Sequence, residues 1–385
     1  MELALYCPNC GYYETEEDII GRGGDYYTSV NVGSLFGELL AFQFAEWLEE
    51  IQERSFNQSG LNSEGKLRDG SGVLRIVEAG AHGGDLAGDI LNWLRDHRAE
   101  LFGRLEYWIV EPSARRQVWQ QRKLSKYGNT VRWARDLAEV TGVACSDTRI
   151  PRSAGLRGIM FSNELLDSMP VHRLGWDAKA RVWFEWGVTL QAGQLVWTRM
   201  PGGATANGSL QANPRESSFH FPLSVESGVM DALPDGFITE LCPAAEEWWR
   251  SAALSLAHGK LLALDYGILA EEFFMPERKE GTIRGYLRHR LADNLLANPG
   301  GQDLTAHVNF TAIRTAGESA GLRTDVFLNQ AQFLTSIAAQ VWQKEGAFGE
   351  WSPERTRQFQ TLTHPEHLGR AFRVLVQARA GRLAC

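Results

Sequence analysis

The chain has 385 residues, 44% of them hydrophobic and 22% charged, with a formal net charge of −8. That suits one large α/β domain with insertions, or two domains, and the acidic balance argues against a broad nucleic-acid interface. No run of about eighteen apolar residues marks a membrane span, and the opening residues read as neither signal nor transit peptide, so a cytoplasmic location is expected.

The elements follow in chain order. After Tyr12-Tyr13 and the Gly23–Ser29 stretch, a helix is predicted from about Ser34 to Arg54, with Leu35, Phe36, Leu39, Phe42, Ala45 and Trp47 on its apolar face. Residues 55–72 are rich in Ser, Gly and Asn and read as a loop. A strand at Leu74–Val77 then leads into Glu78-Ala79-Gly80-Ala81-His82-Gly83-Gly84 and a helix from about Asp85 to Arg98. A second strand, Tyr107–Val110, ends at Glu111, and a third, Thr130–Trp133, ends near Asp136. A fourth, Ile159–Phe161, stops at Ser162-Asn163-Glu164. Strands alternating with helices imply a parallel sheet with right-handed crossovers.

From Val171 to Met200 the period becomes strand-like, and the Gln191-Ala192-Gly193 turn suggests antiparallel hairpins inserted into the core. Residues 201–219 read as a loop. A helix near Ala244–His258 precedes a fifth strand, Lys260–Leu264, which ends in Asp265, and a last strand is expected at Phe372–Val376. The basic run between Arg278 and Arg290 reads as a solvated face, or as a grip for an acidic group.

In an open α/β sheet, ligands sit beyond the carboxyl ends of the strands, and here three consecutive strands end in Glu78, Glu111 and Asp136. Glycines let backbone approach a ligand, and a carboxylate after the second strand can accept both ribose hydroxyl protons. Residues 80–85 lack the Gly-x-Gly-x-x-Gly pattern of pyrophosphate binders, which disfavours a nicotinamide-dependent oxidoreductase. A glycine loop flanked by acids and free of lysine suits a cationic, phosphate-free nucleoside such as S-adenosylmethionine. The plainer alternative makes Glu78 and Asp136 structural caps and the glycines packing devices. After the fourth strand, Glu164 and Asp167 are three residues apart, so one helical turn before Pro170 is expected to place both carboxylates on one face.

Five cysteines, at 7, 10, 145, 242 and 385, form no disulfide framework, and Cys7 and Cys10 lack the second ligand pair of a structural zinc, so no metal is expected.

Several ordered blocks resemble the MidA-type methyltransferases, which include the mitochondrial complex I assembly-factor arginine methyltransferases and their bacterial relatives. The blocks are Leu5-Tyr6 with Gly11-Tyr12-Tyr13, Gly24–Ser29, Leu35–Leu39, Val110–Ser113, Asn163–His172, Asp265–Gly267, Gly281–Arg284, Tyr286 with His289-Arg290, and Gln302–Val308. Cys7 and Cys10 fall at variable positions of the first block. His82 stands where the family usually has a glycine, so its imidazole must point away from the cofactor or contact it.

The resemblance implies an α/β class I methyltransferase fold, Rossmann-like, with a mostly parallel seven-stranded sheet, an amino-terminal helical segment and inserted antiparallel hairpins. Residues 1–70 would form an amino-terminal cap segment, and 71–385 the methyltransferase domain, with insertions at about 170–250 and 270–305. It implies S-adenosylmethionine as cofactor and the arginine of a partner protein as acceptor. Glu164, Asp167, Asp265 and His172 are the expected catalytic residues. Glu78, Gly80, His82, Gly84, Glu111, Asp136 and Asn163 are the expected cofactor residues, and Tyr26, Asp303 and His307 face the substrate. A protein substrate is the expected partner, with no nucleic acid and no membrane, and a homodimer is one expected assembly. The alternative is a catalytically weak member of the fold acting as a protein-binding or assembly factor.

Overall fold

The computed structural model describes residues 1–14, 28–59, 73–142, 155–200, 227–287, 290–344 and 346–379. The chain divides into two compact units. The larger comprises Glu16–Leu165, Trp248–Asp265 and Arg314–Cys385, and the smaller Met1–Thr15, Leu166–Glu247 and Tyr266–Ile313.

Seven strands run along the main path of the sheet, β1 (Leu74–Ala79), β2 (Leu105–Val110), β3 (Val131–Ala134), β4 (Leu156–Asn163), β5 (Leu256–Ile268), β6 (Arg323–Asn329) and β7 (Phe372–Arg379), and a short eighth, Val308–Asn309, pairs with the end of β5. Their spatial order is β3-β2-β1-β4-β5-β7-β6. The pairs β3–β2, β2–β1, β1–β4 and β4–β5 are parallel, and β6 runs antiparallel to β7. The expected mostly parallel seven-stranded sheet is therefore present. Strands buried on both faces read as continuous apolar runs, and Ile159, Met160 and Phe161 of β4 are fully buried, as are Leu261 and Leu262 of β5. Removing a side chain such as Phe161 from water contributes about 2–3 kcal/mol.

The helix Leu35–Ser59 buries Leu35, Phe36, Leu39, Leu40, Phe42, Phe44 and Leu48, an apolar face broad enough to make it a core element rather than a surface cap. Phe44 packs on Phe161 of β4, with ring centroids 5.1 Å apart. The helix Asp85–His97 buries Leu86, Ile90, Leu91 and Leu94 after β1. Gly37 lets these two helices close up, because a Cβ there would sit 2.5 Å from Cβ of Asp89.

The smaller unit contains a four-stranded antiparallel sheet in the order Gln194–Arg199, Val182–Gln191, His172–Asp177, Ile238–Leu241. Its first hairpin turns at Ala192 and Gly193, both at positive φ (48° and 78°), the twist that suits a two-residue hairpin. Trp176, Leu233 and Phe237 form a buried cluster on this sheet. A three-stranded sheet, Arg290–Leu291, Arg284–Leu287 and Asp303–Thr305, lies in the same unit, with the short helix Glu2–Tyr6.

One expectation fails. Residues 164–167 form no helical turn: Glu164 has φ +53° and its N–H donates to the carbonyl of Leu264 at 2.9 Å. A backbone bond to Leu264 within the neighbouring strand holds Glu164 out of the right-handed helical region, so helical spacing does not relate its carboxylate to that of Asp167.

Gly158 of β4 has φ +142°, and a Cβ there would lie 1.9 Å from the carbonyl oxygen of Arg75 in β1. Replacing Gly158 by Ala should cost about 3 kcal/mol or more, combining backbone strain with a forced separation of β1 and β4. Urea denaturation checks this, and an unchanged midpoint would contradict it.

Candidate cofactor and acceptor sites

The strand order reverses between β1 and β4, with successive strands running outward to β3 on one side and to β5 on the other. In such sheets, ligands bind beyond the carboxyl ends of the parallel strands at this kind of switch point.

In the larger unit, Gly80 ends β1 at φ +72°, close against Leu165, and Gly84 at φ +83° starts the helix Asp85–His97. His82 adopts φ +46°, so the loop carries a left-handed bend at a residue other than glycine. Burial, reinforced by the charges of Arg116 and Lys123, lowers the His82 imidazole to about 3, so it is neutral at physiological pH.

Glu78 is 2% exposed and receives the Tyr107 hydroxyl at 2.7 Å. Burial raises its pKa to about 7; the Tyr107 hydrogen bond opposes the rise and nearby Asp85 adds to it. Glu111, 3% exposed, accepts the backbone N–H of Ser113 at 3.0 Å and the Gln120 amide at 3.3 Å, and pairs with Arg116 at 3.6 Å. Asp136 is exposed and caps the helix Leu137–Thr141 by accepting the Glu139 N–H at 2.9 Å. At the end of β4, Asn163 Nδ2 donates to Glu164 Oε1 at 3.1 Å. Asn163 Oδ1 and Ser162 Oγ are buried and find no hydrogen-bond partner among the described residues. Asp265 is fully buried.

Gln120 was not foreseen. It is fully buried in the helix Ala114–Leu124. Its Nε2 donates to the carbonyl of His82 at 2.8 Å and to Glu111 Oε2 at 3.3 Å, while its Oε1 accepts the Trp133 indole N–H at 3.1 Å. One amide thus ties the glycine loop, the β2 carboxylate and β3 together.

In the smaller unit, Asp303 is buried and accepts the Tyr13 hydroxyl at 2.8 Å. Asp167 is also buried, and its carbonyl accepts the Ala306 N–H at 2.8 Å. Burial raises the Tyr286 phenol; Arg284 opposes this, while Asp303 and Asp167 both add to it, so the two carboxylates share one neighbourhood. His172 Nδ1 lies 2.6 Å from Glu185 Oε1. His307 is lowered to about 4, mainly by burial and then by Arg278 and Arg284, and its buried Nδ1 has no hydrogen-bond partner among the described residues. Tyr26 lies outside the described residues.

Comparison with known proteins identifies the cofactor. The model of the S-adenosyl-L-methionine-dependent methyltransferases matches residues 39–328. The chain belongs to this family. A crystal structure from Burkholderia thailandensis, bound to S-adenosyl-homocysteine, is 26% identical, with a TM-score of 0.71 over 98% of this chain and 86% of that one. A native structure from the same organism gives 27% identity and a TM-score of 0.70 over the same shares. Among curated relatives, "Protein arginine methyltransferase NDUFAF7, mitochondrial" is 26% identical in Mus musculus, over 97% of this chain and 78% of the relative. The Homo sapiens protein of that name is also 26% identical, over 97% and 77%.

The cofactor of this methyltransferase is S-adenosylmethionine, and the larger unit has groups that fit it. Glu111 presents a buried carboxylate, and Asn163 Oδ1 and Ser162 Oγ, without a hydrogen-bond partner among the described residues, can accept from a ligand.

The Glu78 shift sets a pH dependence. Between about 4.5 and 7 the folded protein binds more protons at this carboxyl than the unfolded chain does, so this group's contribution to stability falls as pH rises. Glu78→Gln should therefore exceed the parent's stability at pH 8 by on the order of 3 kcal/mol, with the gap closing toward pH 4. Chemical denaturation at the two pH values checks this, and a pH-independent gap would contradict it.

Proposed function

We propose that this methyltransferase acts on an arginine side chain of a partner protein. The observation that carries the reading is the set of buried carboxylates in a chain whose curated relatives are named protein arginine methyltransferases. When bound, S-adenosylmethionine supplies an electrophilic methyl group on a sulfonium.

On this reading Glu111 accepts the ribose hydroxyls, held in place by the Ser113 N–H and Gln120, while Gly80 and Gly84 bring backbone to the ligand. Asn163 and Ser162 bind donors of the same ligand. Glu78, about half protonated at pH 7, can offer a proton as a hydrogen-bond donor. The Gln120 amide keeps the His82 carbonyl turned into the protein, and the bend at His82 preserves the loop despite the missing glycine. That preserved bend supports an active enzyme over a fold retained only for assembly.

A guanidinium is a poor nucleophile because its lone pairs are delocalised and it stays protonated. A carboxylate bound to it fixes its plane and concentrates charge near the reacting nitrogen. Glu164, at the end of β4 in a strained backbone conformation, takes that role in the larger unit, with Asp265 next to the end of the adjacent run of β5. Within the smaller unit, Asp167 and Asp303 beside Tyr286 suit the same class of cation, and neutral His307 can accept a proton. His172, paired with Glu185, is a second proton acceptor.

Glu164→Gln should lower the turnover of methyl transfer to arginine-containing protein by about a hundredfold or more, with cofactor affinity changed less than about threefold. Transfer of labelled methyl and calorimetric titration of S-adenosylmethionine measure the two quantities. Unchanged turnover would sink the role of Glu164, and equal loss of affinity would make it a cofactor ligand. Gln120→Leu should raise the dissociation constant for S-adenosylmethionine about tenfold while leaving turnover at saturation nearly unchanged, with Gln120→Glu recovering less than half of the loss. An unchanged dissociation constant in both variants would remove Gln120 from cofactor positioning.

A further inference from the structure

Cys7 and Cys10 take no part in the methyltransferase reading. Their sulfur atoms lie 3.2 Å apart, with Cys10 exposed and Cys7 half-buried, and both are free thiols. A defined turn holds them: the N–H groups of Cys10 and Gly11 both donate to the Cys7 carbonyl, at 3.2 and 2.7 Å. Only glycine closes this turn, since a Cβ at Gly11 would lie 2.4 Å from the Cys7 nitrogen. Gly300, at φ +82°, packs its backbone against the other side, where a Cβ would meet the Cys10 carbonyl at 2.1 Å.

The flanks are anchored as well. The Tyr6 hydroxyl donates to the carbonyl and contacts the hydroxyl of Ser168, at 3.0 and 2.9 Å, and Tyr13 donates to Asp303. The thiols are thus presented together at a surface by a turn locked at both ends. Among the described residues no group of three His, Cys, Asp or Glu side chains is placed to hold a metal, so thiol chemistry suits the pair better than ligation.

We propose that Cys7 and Cys10 form a redox-active dithiol that reacts with low-molecular-weight disulfides of the glutathione type and closes to an intramolecular disulfide. Cys7 is the attacking sulfur. The Asn9 N–H, the Cys10 thiol and the Cys10 N–H hold it below the usual thiol range, whereas the same contact holds Cys10 above it. The Cys7 thiolate attacks one sulfur of the small disulfide, breaking its S–S bond and releasing one thiolate. Cys10, losing its proton to solvent, then attacks Cys7 Sγ and expels the second thiolate. The two protein thiols are oxidised, the small disulfide is reduced to two thiols, and the two protons lost by the protein are those the released thiolates take up.

The test uses the full chain, reduced and then equilibrated with graded mixtures of oxidised and reduced glutathione, quenched with iodoacetamide and digested with trypsin. Both cysteines fall in the single peptide Met1 to Arg22. The expected result is that this peptide becomes two hydrogens lighter and resists alkylation as the mixture becomes oxidising. Cys10→Ser should accumulate a glutathione adduct on Cys7, and Cys7→Ser should form the Cys10 adduct about tenfold more slowly. The proposal is overturned if both cysteines remain alkylated at every ratio, if both carry adducts without closing, or if the two single variants react at the same rate.

Discussion

The larger unit depends on one topological constraint: four successive parallel strand pairings whose order reverses between β1 and β4. Parallel pairing brings the carboxyl ends of those strands to one edge of the sheet, and the reversal leaves no covering crossover at the break. Glu78, Gly80, Glu111 and Asn163 reach that edge because each lies at or beside the end of its strand, whereas Asp265 lies inside β5, which runs on to Ile268 rather than stopping before Asp265 as the sequence suggested. The pairing in turn depends on close backbone approach. Gly158 of β4 is opposite Arg75 of β1 and Gly259 of β5, and a Cβ at Gly259 would lie 1.8 Å from the Gly158 carbonyl.

Placing carboxylates at a buried edge creates an electrostatic problem that the protein solves in two ways. Glu111 is surrounded by Arg116, the Ser113 N–H and the Gln120 amide. Among the described residues Glu78 has only the Tyr107 hydroxyl to offset burial, and its pKa rises toward neutrality. Two acids a strand apart are thereby given different surroundings, one among a cation and two N–H donors and the other against a single phenol.

Much of this was legible in the chain. Tyr107–Val110 and Ile159–Phe161 are apolar runs bounded by polar residues or glycine, and Leu74–Val77 is apolar but for Arg75, so local pattern is enough to place β1, β2 and β4. The bend after β4 was not legible. The spacing of Glu164 and Asp167 suggests a helical turn, yet the Leu264 carbonyl, about a hundred residues away, fixes Glu164 at positive φ. Gln120 was missed for a related reason. A glutamine in a polar helix reads as solvent-facing, and it is buried because His82, Glu111 and Trp133 converge on it from three separate segments. The smaller unit is assembled from three separated stretches of chain, and the buried neighbourhood shared by Asp167, Tyr286 and Asp303 brings together residues far apart in sequence.

The central claim is that a loop carrying His82 in place of glycine still serves a cofactor site built around Glu111. Calorimetric titration of S-adenosyl-homocysteine into the parent protein and into Glu111→Gln measures it most directly. The account predicts saturable binding of about one equivalent per chain to the parent and a dissociation constant at least about tenfold weaker in the variant. No heat of binding to the parent at millimolar ligand, or equal affinity in both proteins, would contradict it.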